Sequence, residues 1–312
     1  MGKHDELATL LSATSLRATF RKFLEASHAP STVRAYREGV AHFKGWGGRL
    51  PATETQVAKY LAAYAGKLAK ATLEQRLAAI HAEHLARGLR SPVRGQLVRA
   101  TMKGIARLYS KKQRQVRPLL KEHLVAILRY MRGVEGARDR ALMLIGFMGG
   151  FRRSELVALD MDDIEFTKSG LVIAVRRSKT DQEGEGRQVP IPKMRGALCG
   201  VRALRAWLEA SGIEEGAVFR SINRHGHIAE KRLSGAAVGC IVKYYVGRIG
   251  LDASEYSGHS LRAGLVTAAA RAGAATWQIK RQTGHKSDAV LARYIRDSGQ
   301  FADNVAKLIF GK

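Results

Sequence analysis

The chain has 312 residues, a length that favours about two domains, each large enough to bury its own core. Its 53 Lys+Arg against 27 Asp+Glu leave a net charge of +26, an excess that favours a polyanion through counterion release. A nucleic acid is therefore the expected partner, and no apolar run is long enough to make a membrane one. Residues 1–117 carry 22 Lys+Arg against 7 Asp+Glu and the remainder 31 against 20, so both parts are expected to touch the same duplex. A surface built only for solubility would mix both signs. Met1 to Glu6 lacks the apolar stretch of a secretory signal, which predicts a protein of the cytoplasm or nucleoid. Cys199 and Cys240 match no zinc spacing and are expected to be reduced, buried small residues.

Helices fill the first third. Pro30-Ser31 precedes Val33, Tyr36, Val40 and Phe43, whose three- and four-residue spacing makes one apolar face that ends at Gly45-Trp46-Gly47-Gly48. Thr53 and Gln56 stand in capping-box spacing before a second stripe of Val57, Leu61, Tyr64 and Leu68. Thr72 and Gln75 repeat that spacing before Leu73, Leu77, Ile80 and Leu85, a helix that stops near Gly88. A fourth helix covers Gly95 to Ser110, and four short amphipathic helices make a bundle, the N-terminal domain over residues 1–110. The basic run from Lys111 to Pro118 has no apolar periodicity and reads as a linker over residues 111–118 that follows a phosphate backbone through Lys111, Lys112, Arg114 and Arg117.

Residues 119–312 form the second domain. Helices are expected at Lys121 to Met131 and at Arg138 to Met148, the latter nearly all apolar and central, followed by Glu155 to Leu159. Ile164 to Phe166, Leu171 to Val175 and Gln188 to Ile191 are short and β-branched, separated by Lys168-Ser169-Gly170 and by the turn Asp181 to Gly186, which predicts a small antiparallel sheet. Helices resume at Met194 to Ala210, Ser234 to Ile249, His259 to Arg271, Thr276 to Thr283, Asp288 to Ile295 and Phe301 to Ile309.

Within this half lie the pieces of a phosphate-cleaving site. Arg152 follows two glycines and an apolar helix, which would hold a rigid guanidinium fork toward two phosphate oxygens, while Arg153 beside it fits an ordinary surface arginine. Glu155 stands one helical turn from Arg152 and could orient it. His259 and Arg262 at i and i+3 share a helix face, His285 follows Gly284, and Tyr294 lies nine residues further on. A free tyrosine, with a pKa near about 10, is a poor nucleophile at neutral pH, but neighbouring arginines and a histidine able to take its proton favour the phenolate. Lys179, at the turn after a predicted strand, could protonate a departing 5′ oxygen, with Arg176 and Arg177 as competitors for that role and as DNA contacts.

Rival constellations are weaker. Asp160, Asp162, Asp163 and Glu165 crowd one turn without a distant carboxylate partner, His225-Gly226-His227 lacks a third ligand, and Gly149-Gly150 lacks the Lys-Ser/Thr of a phosphate-cradling loop. No metal, no nucleotide and no other cofactor is expected.

The order Gly150-Phe151-Arg152-Arg153-Ser154-Glu155-Leu156, Lys179, His259-Ser260-Leu261-Arg262, Gly284-His285 and Tyr294 resembles the tyrosine recombinase (phage integrase) family, in the size class of Cre and the Xer recombinases. The resemblance is close over residues 118–312 and looser before. It implies a mainly α, two-domain architecture: an N-terminal helical core-DNA-binding domain and an α+β catalytic domain with a small antiparallel sheet and a tail helix. Arg152, Lys179, His259, Arg262, His285 and Tyr294 would be catalytic and Glu155 their acidic support. The implied activity is site-specific cutting and rejoining of DNA through a 3′-phosphotyrosine, by a homodimer on one site and a homotetramer in the synaptic complex. The tail would dock on a neighbouring protomer, and the length would leave no room for the arm-binding domain of larger phage integrases. A topoisomerase or telomere resolvase would use the same chemistry, and a non-catalytic basic DNA-binding protein would use none of it. Were Tyr294 not the nucleophile, Tyr256 would be the substitute.

Overall fold

The computed structural model describes residues 29–109, 115–176 and 186–285, together with 287, 288 and 291. Lys111, Lys112, Arg114, Arg177, Lys179, Tyr294 and the tail from Phe301 lie outside the described residues. The fold is mainly helical with small antiparallel sheets, and the chain divides into two compact units, residues 1–113 and 114–312.

The first unit holds α1 (Pro30–Gly45), α2 (Glu54–Tyr64), α3 (Lys70–Ala86) and α4 (Gln96–Tyr109). Phe43, Val57, Tyr60, Leu61, Leu73, Leu77, Ile80, Val98 and Ile105 make its core, so the stripes read from spacing send residues inward, but Val33, Tyr36 and Val40 are only half-buried and Leu85 is 57% exposed. α1 packs on α3 at a point without side-chain bulk: a Cβ at Gly39 would lie 2.6 Å from that of Ala79. Thr53 caps α2 by accepting from the Gln56 amide at 3.2 Å. Two details differ from the sequence expectation. α2 ends at Tyr64 because Ala65 turns extended, so Leu68 packs on the core from beyond the helix. Thr72 is not a cap, since the amides of Thr72 and Leu73 already bond the Ala69 carbonyl at 2.9 and 3.1 Å and the helix starts at Lys70.

The second unit is built round α6 (Gly133–Met148), which is buried along most of its length. It follows α5 (Lys121–Leu128) and leads through a glycine turn into α7 (Arg153–Ala158). Strands β1 (Ile164–Phe166), β2 (Gly170–Val175) and β3 (Arg187–Pro192) form one antiparallel sheet in that order, with Leu171 opposite Ile191 and Ile173 opposite Val189. These four side chains are buried, which is why register is fixed: a one-residue slip would turn them all to solvent. α8 (Gly200–Ser211), a hairpin of β4 (Arg220–Ile222) and β5 (Ile228–Arg232), α9 (Gly235–Arg248), α10 (His259–Arg271) and α11 (Thr276–Thr283) complete the described part. Trp207 of α8 is fully buried and donates its indole N–H to the Val218 carbonyl at 2.7 Å.

Four expectations need correction here. α6 starts five residues earlier than Arg138 and is not purely apolar: Arg138 and Asp139 are both 3% exposed and bond each other at 2.7 Å, with the Tyr245 hydroxyl donating to Asp139 at 3.1 Å. Such a pair is tolerated inside only because each charge is matched and hydrogen-bonded. Helix α8 does not reach back to Met194, because Gly196 sits at φ +80 and Cys199 is the extended cap. The β4–β5 hairpin was not anticipated as strands; His225-Gly226-His227 is its turn, held by Asn223 Oδ1, which accepts from the His225 and His227 amides at 2.9 and 3.0 Å. Cys199 is buried as expected, but Cys240 is exposed on α9.

Candidate active site

A glycine turn sets the first arginine. α6 closes at Gly149, Gly150 takes the left-handed φ of +57, and Phe151 is buried. A Cβ at Gly150 would meet Leu265 and Thr283 at 2.8 Å, so glycine serves both the turn and the close approach of α10 and α11. Arg152 is then the residue that caps α7, and Glu155 reaches back along the first turn. One carboxylate oxygen accepts from the Arg152 guanidinium at 2.5 Å, the other from the Arg152 amide at 3.0 Å. Glu155 is 3% exposed. Burial alone would raise its pKa, but the bonds from Arg152 and the charges of Arg187 and Arg152 outweigh that and hold it below the ordinary carboxylate value. It is an anion whose both oxygens are engaged.

Arg262 arrives from α10 and is 1% exposed. Its Nη1 donates to the Gly150 carbonyl at 2.6 Å and to the Thr283 carbonyl at 2.7 Å, so one guanidinium joins the glycine turn to the end of α11. His259 opens the same helix, its amide donating to Ser257 Oγ at 3.1 Å. Burial, reinforced by the charges of Arg262, Arg153 and Arg152, lowers the pKa of His259. His285 follows Gly284, the left-handed cap of α11 at φ +69. Its Nδ1 lies 2.6 Å from Thr283 Oγ1, and that hydroxyl also donates to the Ile279 carbonyl at 2.6 Å. Burial first, then Arg262, Arg152, His259 and Arg187, push the His285 pKa down to about 3. Both rings are therefore neutral at neutral pH.

Arg152, Glu155, His259, Arg262 and His285 thus share one region of the second unit, brought together from three separate stretches of chain. The remaining residues singled out from sequence sit elsewhere or outside the described residues. Arg176 Nε pairs with Asp163 at 2.5 Å, and Arg117 pairs with Glu255 at 2.8 Å while its amide bonds the Glu255 carbonyl at 2.9 Å. Asp160 pairs with Arg232 at 2.7 Å, so Asp160 and Asp163 of the acidic turn face arginines; no metal-holding cluster occurs among the described residues. Tyr256, the alternative tyrosine, is 2% exposed and its pKa is raised, chiefly by burial, which disfavours the phenolate.

Arg187, at the start of β3, was missed. Its Nη2 donates to Glu155 at 3.0 Å and its Nη1 to the Gln282 carbonyl at 2.7 Å, beside the Phe151 ring at 5.9 Å. No local signal marks it, since the carboxylate it meets is 32 positions away. With it the site carries two arginines on the Glu155 carboxylate and a third, Arg262, on the glycine turn, a surplus of positive charge suited to an anion.

A mainly helical fold with small antiparallel sheets thus carries this arginine-histidine cluster. The chain belongs to the phage integrase family, whose family model matches residues 117–300. It is 38% identical to an integrase/recombinase XerD homolog of Selenomonas ruminantium over 309 residues, covering 96% of this chain and 90% of that protein. It is 42% identical to the tyrosine recombinase XerC of Chromobacterium violaceum over 104 residues, 33% of this chain and 29% of that one. The Tn1549 transposon integrase in complex with transposon right-end DNA shares the fold with a TM-score of 0.63 at 16% identity, over 91% of this chain and 95% of that chain. A lambda integrase tetramer bound to a Holliday junction does so with a TM-score of 0.59 at 18% identity, over 93% and 79%.

Proposed function

We propose that this chain is a site-specific DNA recombinase of the tyrosine type, with Arg152, Lys179, His259, Arg262, His285 and Tyr294 as its catalytic residues and Glu155 in support. The observation that carries the proposal is the convergence of Arg152, Arg262, His259 and His285 around the glycine turn, with Glu155 gripping Arg152 from behind. Tyr294 and Lys179 enter from the order of the motifs.

The chemistry needs no cofactor of its own. The Tyr294 hydroxyl oxygen bonds to the scissile phosphorus, its proton passes to the neutral His259, and the bond from phosphorus to the 5′ oxygen breaks as Lys179 protonates that oxygen. Arg152, Arg262 and His285 stabilise charge on the non-bridging oxygens, where positioned donors are worth most. The phosphotyrosine preserves the energy of the phosphodiester, so a 5′ hydroxyl from a partner duplex reverses the step and exchanges strands. The substrate is double-stranded DNA, bound by a homodimer at one site and by a homotetramer during exchange, a reading that rests on relatives caught as DNA complexes, dimers and a Holliday-junction tetramer. Arg117 and Arg176, with Lys111, Lys112, Arg114 and Arg177, belong to the DNA contacts, and the protein works in the bacterial cytoplasm at the nucleoid. Residues 1–110 are the core-DNA-binding domain and residues 119–312 the catalytic domain.

The test is a duplex selected from genomic fragments by binding to the full chain, then denatured. Wild type leaves a protein-DNA adduct, and Tyr294→Phe binds the duplex equally but leaves none. An adduct with the phenylalanine variant would move the nucleophile elsewhere.

A further inference from the structure

Arg187 is an arginine of the site that the catalytic scheme leaves unused. It is held from two sides. One nitrogen meets the Glu155 oxygen that Arg152's guanidinium does not occupy, at 3.0 Å, and another meets the Gln282 carbonyl at 2.7 Å, two residues before Gly284 and three before His285. Its side chain is 18% exposed. A Cβ at Gly284 would come 2.8 Å from Arg187 Nε, so the chain leading to His285 lies directly against the guanidinium.

The electrostatics give this bridge a purpose. Arg152 and Glu155 alone are a neutral pair, and a carboxylate at 2.5 Å competes with a phosphate for the guanidinium. A second arginine on the far oxygen divides that pull and restores a net positive charge. We infer that Arg187 is a positioning residue that aims Arg152 at the scissile phosphate and fixes the His285 segment against it, without itself touching the DNA. The inference rests on the proposed recombinase activity.

Arg187→Gln keeps a hydrogen-bonding side chain and removes the charge, whereas Arg187→Lys keeps the charge and cannot bridge both partners. Each full-length variant is compared with wild type for adduct formation on two duplexes. One carries the normal scissile phosphate, located from the wild-type adduct, and the other a methylphosphonate there, which lacks the charged non-bridging oxygen. With DNA affinity unchanged in a gel shift, Arg187→Gln should slow the phosphate reaction roughly 10- to 100-fold, as loss of an orienting partner does elsewhere. Most of that deficit should vanish on the methylphosphonate, because the charge that Arg152 must meet is gone. Arg187→Lys should fall between wild type and Arg187→Gln, and it carries the same comparison if Arg187→Gln melts below the assay temperature. An equal deficit on both duplexes would reduce Arg187 to a structural brace and overturn the inference, as would wild-type rates throughout. A wild type that forms no adduct on either duplex overturns the functional reading itself.

Discussion

His285 is uncharged in the folded protein because burial and the charges around it hold its pKa near 3, against 6.5 for an unperturbed ring. Between those two values the unfolded chain takes up a proton that the folded chain refuses, so stability falls as pH falls through that window. His285→Gln should therefore flatten the decline of unfolding free energy between pH 6.5 and 4.5, measured in urea; a slope equal to wild type would show that the ring titrates normally. Lys179 allows a sharper chemical test. If it protonates the 5′ oxygen, Lys179→Ala should slow cleavage by roughly 10² to 10⁴. A 5′-bridging sulfur leaves without a proton, so the same variant should approach wild type on a sulfur-substituted strand. Equal slowness on both would place the acid among Arg176, Arg177 and His259. Glu155 was legible in the sequence because three residues along a helix fix a neighbour. Arg187 was not, because β3 meets α7 only through tertiary folding.

Glycines mark where helices meet, and two of them predict opposite outcomes. Gly39 of α1 has no room, with a Cβ 2.6 Å from that of Ala79, whereas Gly104 of α4 has nothing within 4 Å of the same added atom. Ala is favoured over Gly inside a helix by about 1 kcal/mol, while forcing extra bulk into a packed contact costs about 1–3 kcal/mol. Gly39→Ala should thus lose net stability, and Gly104→Ala should gain up to about 1 kcal/mol, both read by denaturant titration. A gain at Gly39 would show that α1 and α3 yield easily. Helices with local stops, such as His259–Arg271 and Thr276–Thr283, were legible to the residue. Residues 194–199 were not: they were read as the start of a helix, but Gly196 at φ +80 breaks it. The β4–β5 hairpin was missed because Arg220 to Arg232 is polar and only partly buried, so alternation carried no signal.

Across the whole molecule, a net charge of +26 spread over both parts of the sequence fits an enzyme that must hold a polyanion while it breaks and remakes one bond. The family was legible because its chemistry demands particular residue types in a particular order, which survives where local structure is ambiguous. Assembly was read only through the family resemblance, since contacts between copies depend on surfaces that no spacing rule describes. The chemistry turns on one covalent bond. The most direct measurement is to form the adduct on the selected duplex, digest it with nuclease and trypsin, and locate the nucleotide by mass spectrometry. The account predicts a 3′-phosphonucleotide on the tryptic peptide that begins at Tyr294, after Arg293. A nucleotide on any other residue, or linkage to the 5′ end of the cut strand, would contradict it.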